Sequence, residues 1–155
     1  MNKDHIMWGV LFLVLFGGAH WAVNSGGYSA SLVWMGLAVA MLVSSFVVGK
    51  QMKNTPKGMR DVWTAATFFG VIMTFAVALR YVPVDLSWLM SLWLLLFGAA
   101  KFASGHAGGS HMSNYGGLVL VVAALFVPGF GAGWYFMAGA LFLGLMDIVN
   151  GAVLK

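Results

Sequence analysis

Two ionisable residues stand inside stretches that are otherwise apolar. Lys101 lies in WLMSLWLLLFGAAKFASG (Trp88 to Gly105), and Asp147 lies in WYFMAGALFLGLMDIVNG (Trp134 to Gly151). An ionised group at the centre of a bilayer costs about 2.5–3.5 kcal/mol on insertion scales, and less near the interface. Opposite charges meet that cost by pairing, so these residue types predict a Lys101–Asp147 ion pair inside a helix bundle. The other arrangement leaves Lys101 to snorkel to the surface alone and Asp147 to meet water. A functional version of the pair, a proton relay, needs a wet cavity beside it. Ser104 and Asn150 each follow the charge by three residues, on the same helix face, which predicts a short polar stripe at one depth.

The remaining candidates are thinner. His20, Arg80 and Asp85 should gather at the opposite, outer face, where an imidazole titrating near pH 6.5 would sense acidity. The alternative is an interfacial histidine bonded to water or a carbonyl. His20 as an axial ligand to a haem or chlorin is not established by one intramembrane histidine. His106 and His111 flank the spacer AGGS, but a metal site takes three or four ligands at fixed geometry. The chain has no cysteine and no glutamate, and the glycines give the spacer no rigidity, so neither a metal nor a cofactor is expected. No nucleophile–base arrangement and no phosphate-cradling glycine loop with its following Lys-Ser/Thr is present, so no enzymatic activity is expected.

The elements that position these residues follow from composition. The chain is 61% hydrophobic and 8% charged, against about 25% charged in soluble domains. So few charges cannot cover a water-facing surface, and lipid is the alternative solvent. The net charge of +4 does not point to nucleic acid, because the basic residues lie between apolar runs, as membrane topology requires. Six such runs follow: 6–23, 31–49, 62–82, 86–103, 115–127 and 134–154. A bilayer core takes about 20 helical residues, so the fifth run must borrow from its flanks, toward Gly131–Gly133. The runs lack the period-two alternation of barrel strands, and unpaired backbone is too costly in lipid for anything but helix. Trp8, Trp21, Trp34, Trp63, Trp88 and Trp134 sit at or near run ends, where indoles favour the headgroup level. Between the runs lie a turn at Asn24–Gly27, the polar stretch KQMKNTPKGMRD, a turn at Pro83, the loop SGHAGGSHMSN (104–114) and a turn at Pro128-Gly129.

The fold class is therefore all-α: a polytopic membrane protein, residues 1–155 forming a single integral membrane domain of six transmembrane helices. Lys and Arg concentrate before helix 1, in the 2–3 loop, at Lys101 and at Lys155, while the 3–4 turn balances Arg80 with Asp85. Every second connection is basic, which places both termini in the cytoplasm.

The runs also repeat. Gly98 aligns with Gly144, Lys101 with Asp147, Ser104 with Asn150 and Gly105 with Gly151, all 46 residues apart, and residues 33–49 give a fainter third copy. Aromatic residues open the odd helices at Trp8, Trp63 and Tyr115. The pattern is one hairpin written three times, at 6–49, 62–105 and 115–154, with a period of ~50 residues.

With its six short helices, a turn inside each hairpin, and GAAKFASG (98–105) and GLMDIVNG (144–151) preceded by Pro83 and Pro128, the chain resembles the HdeD-type acid-resistance membrane proteins. The resemblance is best over helices 3 to 6; the first hairpin lacks proline and carries Ser44-Ser45. It implies a small non-enzymatic inner-membrane protein linked to acid or envelope stress. Two other readings accompany it: an accessory subunit of a larger respiratory or oxygenase-type complex, and a small channel or transporter. The partners expected are the lipid bilayer and either copies of itself, as a homo-oligomer, or a larger membrane complex.

Overall fold

The computed structural model describes residues 3–51, 57–108, 111–130 and 134–153. These residues form helices and their connections, with no strand among them. The helices are α1 (Lys3–Asn24), α2 (Ala30–Gln51), α3 (Lys57–Ala78), α4 (Ser87–Gly108), α5 (His111–Phe126) and α6 (Trp134–Val153). A 3₁₀ turn, Val127–Gly129, follows α5, and the middle of α6, Ala140–Leu145, is wound as π-helix. Among the described residues, five helices, all but α5, are long and apolar enough to cross a membrane.

Three boundaries depart from the sequence expectation. The 104–114 stretch is not a loop: α4 continues through Ser104, Gly105 and His106 to Gly108, and α5 already begins at His111. Glycine and serine are poor helix formers in water, but a backbone packed against a neighbouring helix keeps its hydrogen bonds in-helix wherever it can. The fifth helix lengthens at its start by the same means; Gly131–Gly133 lie outside the described residues. α3 starts at Lys57, with Gly58 in its first turn, where a helix breaker disrupts least. It stops at Ala78 rather than Val82. There the Arg80 amide donates to Val77 O (3.0 Å) and the Tyr81 amide to Ala76 O (2.8 Å), while Arg80 itself takes φ 65°. This is a Schellman C-cap built on a non-glycine residue.

Helices consecutive in the chain are neighbours, and α6 returns to α1, so the six close into a ring in sequence order. The tightest seams are α4–α5 and α1–α6, followed by α2–α3; α1–α2 and α3–α4 touch less, and α5–α6 least of all. The repeated hairpin is thus not the tightest packing unit. The reason lies in two glycine crossings. A Cβ added to Gly98 would sit 2.9 Å from Gly117 O, and one on Gly117 would sit 2.6 Å from Gly98 O. Across α1–α6, a Cβ on Gly9 would lie 2.6 Å from Gly144 O, and one on Gly144 would meet Leu13 at the same distance. Only residues without side chains let backbones approach this closely. Gly98 and Gly144 are the aligned pair of the repeat, and each pairs with an odd helix outside its own hairpin.

The ring is filled by aromatic side chains. Phe97 on α4 is the hub, with ring centroids 5.4 Å from Phe12 on α1, 5.6 Å from Trp63 on α3 and 5.2 Å from Trp93. Trp34 of α2 packs on Phe136 of α6 (4.8 Å) and is fully buried, as is Phe16. Trp34 is therefore a core residue, whereas Trp21, Trp88 and Trp134 stand exposed near helix ends. Among the aromatic side chains, Trp93 Nε1 donates to Thr74 Oγ1 of α3 (3.1 Å), which itself donates to Gly70 O (2.8 Å). Outward, the helices present large apolar side chains, among them Val14, Phe46, Phe68, Ile72 and Leu125.

Candidate functional site

Among the described residues, an ion pair within the interior joins the two charged positions of the repeat. Lys101 Nζ donates to Asp147 Oδ1, with only 3% and 10% of the two side chains exposed. α4 carries Lys101 two turns before its end, and α6 carries Asp147 just past the π-wound segment. A π turn accommodates an extra residue and rotates everything after it, so that segment sets the direction in which Asp147 faces. From α1, His5 Nδ1 stands 3.6 Å from the same carboxylate oxygen, its side chain 29% exposed. Three helices thus meet at one carboxylate at the end of the bundle that holds the α1 start and the α4 and α6 ends.

The polar stripe is present but not self-satisfied. Asn150 is buried at 5% exposure, and its Nδ2 has no hydrogen-bond partner. It lies against α5, 3.2 Å from where a Cβ of Gly116 would stand, with Lys101 Cε at an equal distance from that point. Ser104 Oγ is likewise buried without a partner. Ser113, on α5, donates its hydroxyl to Lys101 O (3.1 Å) and ties the start of α5 to α4.

The opposite end holds the three residues expected there, in two groups. At the end of α1, Asn24 Nδ2 bonds His20 O (3.0 Å) and His20 Nδ1 (3.1 Å), and the imidazole lies 5.3 Å from the Trp134 ring. Arg80 and Asp85 share the α3–α4 turn. Asp85 Oδ1 accepts from the Ser87 amide at 2.8 Å and caps α4. The Ser87 amide and then its hydroxyl hold the Asp85 carboxyl below its usual range, with a smaller pull from the Arg80 charge.

His106 is exposed on the last part of α4, and the His111 side chain lies outside the described residues. Among the described residues no three His, Cys, Asp or Glu side chains stand close enough to hold a metal ion. Sequence reasoning missed His5. Its signal was its place at the start of helix 1, which alternating helix directions bring to the same end as Lys101 and Asp147.

Between the two polar ends the interior is closed by Phe12, Phe16, Trp93 and Phe97, each at most 3% exposed. What the site can do chemically is hold a neutralised charge pair at one bundle end. Comparison with protein-family models, curated proteins and solved structures finds no match.

Proposed function

We propose that the chain is a small, non-enzymatic, multi-pass protein of the plasma membrane, HdeD-like, with an acid- or envelope-stress role and both termini cytoplasmic. The observation that supports it most is the aromatic plug between the two polar ends. A channel or transporter needs a continuous polar path, and Phe12, Phe97 and Trp93 stand where it would run. The orientation is supported by Lys3, Lys57, Arg60 and Lys101, which sit at the end opposite Arg80. The test is survival of the source cell at low pH with the chain deleted, beside proton flux through liposomes holding the purified protein. Lost survival with background flux is expected. Unchanged survival overturns the stress role, and flux abolished by Asp147→Asn overturns the non-transporting one.

The second reading is an accessory subunit of a larger membrane complex. It is favoured by the apolar outer face of α3, Phe68, Phe69 and Ile72, on a chain whose described residues lie almost wholly in helices. Purification in mild detergent decides between them: a stoichiometric partner that co-elutes favours the subunit.

A further inference from the structure

Four of the six helices form two tight pairs. α4 is joined to α5 at the Gly98–Gly117 crossing, and α6 to α1 at the Gly9–Gly144 crossing. Only glycine lets two backbones come this close, and neither crossing can open without losing that fit. The two pairs meet differently at their two ends. Toward the Arg80 end, α4 packs on the first turns of α6, Trp134–Gly139. There Met90 Sδ lies 2.7 Å, and Phe16 Cδ1 3.0 Å, from the point a Gly139 Cβ would take. Past the π-wound segment, Met146–Val153 packs on α1 and only sparsely on α5. Among the described residues, the polar link that α4 sends there is the Lys101 side chain. Its stem runs over α5 at Gly116, with Cε 3.2 Å and Cδ 3.7 Å from where a Cβ would stand, and its Nζ ends on Asp147.

We propose that the Lys101–Asp147 pair is a latch on a lateral opening between α5 and α6. With the latch released, the two helix pairs part at the Lys101 end and stay joined at the Arg80 end. The line of parting follows the contacts. Lys101 stays with α5, where Ser113 donates to its carbonyl (3.1 Å). Asp147 stays with α1, where His5 Nδ1 stands 3.6 Å from its carboxylate. Each charge therefore keeps polar company on its own side of the seam. A second observation brings the closed seam near balance. Closure buries Asn150 Nδ2 against Gly116 with no hydrogen-bond partner. A buried donor that loses water without replacement opposes the closed state, and the latch offsets that cost. Local opening runs along the joints with the fewest buried contacts, and α5–α6 is that joint in this ring. The device depends on the fold alone and is independent of any stress role.

The test is dipolar electron paramagnetic resonance on the full chain in lipid nanodiscs. The chain has no cysteine, so spin labels enter on a clean background. Leu118→Cys with Val149→Cys spans the α5–α6 seam, and Val10→Cys with Val149→Cys spans the α1–α6 crossing as the reference. All three positions are about half exposed. Lys101→Met with Asp147→Leu removes the latch without stranding a charge. The otherwise unaltered chain should give one narrow distance distribution for each label pair. Without the latch, the seam pair should gain a longer component, above the roughly 0.1–10% of an ordinary minor state, and the reference pair should not change. Gly116→Val keeps both charges and puts a side chain in the path of the Lys101 stem. It should open the same seam, and it carries the test if the double variant does not fold. An unchanged seam distribution overturns the latch. Equal broadening of both label pairs overturns it too, because the bundle then loosens as a whole.

Discussion

Lys101 and Asp147, 46 residues apart in sequence, close an ion pair in which neither side chain is more than one-tenth exposed. Removing one partner of a buried pair strands the other charge, at a cost of about 3–5 kcal/mol, whereas replacing both with apolar residues is close to neutral. Asp147→Leu and Lys101→Met should each lower the thermal midpoint in detergent sharply. The double variant should return most of it. If both single variants melt with the wild type, the pair does not hold the bundle together.

The glycine crossings predict a sharp contrast. Gly98→Val and Gly117→Val each drive a side chain into a backbone carbonyl that cannot yield. Both should scatter the protein on size exclusion. Gly18→Ala meets nothing within 4 Å and trades glycine for a better helix former, a gain of up to about 1 kcal/mol. Its melting point should hold or rise.

Thr74→Val removes the acceptor of the Trp93 indole without changing shape. Interhelical hydrogen bonds in membranes average about 0.6 and reach about 1.7 kcal/mol, so a loss within that range is expected. A double-mutant cycle with Trp93→Phe measures the coupling, and zero coupling removes the bond from the account.

Arg80 holds a left-handed backbone at φ 65°. Such a conformation costs a side-chain-bearing residue about 1 kcal/mol that glycine does not lose. Arg80→Gly should therefore stabilise by a comparable amount in chemical denaturation, and a loss of stability would mean that the Arg80 side chain outweighs the strain.

Asp85 sets the acid limb. Its folded carboxyl titrates below the ordinary aspartate value. The stability it adds is present above the unfolded pKa, near 3.9, and is lost as pH falls through the lowered folded value. The wild-type midpoint should drop below about pH 4. Asp85→Ala should start lower at neutral pH, by a cap's worth of about 1 kcal/mol, and flatten that limb. An unchanged limb would assign the acid sensitivity to other groups.

Much of this was legible in the sequence, for reasons that also mark where legibility ends. Lys101 and Asp147 declared themselves because a charge inside twenty apolar residues has few ways to survive there. The six helices were legible because lipid leaves the backbone no other choice. His5 was not, since a histidine between Asp4 and an apolar run reads as solvated until the ring brings α1 against α6. The continuation of α4 through Ser104 and Gly105 was hidden because those residues signal a turn in water. The π-wound Ala140–Leu145 left no mark at all: its composition suits an α-helix equally well. The hairpin repeat named units of sequence, but which helices press together was decided by Gly9 facing Gly144 and Gly98 facing Gly117.

The closure of the ring through α1 and α6 fixes an order of events during synthesis. Of these six helices, the first to be made is the one whose principal neighbour is made last. At ordinary elongation speeds α1 waits roughly 5 to 20 s with the faces of Gly9 and Leu13 uncovered. A nascent chain arrested before Trp134 would hold every helix but one and still lack its keystone. Until then something else in the translocation machinery, or lipid alone, must occupy that side.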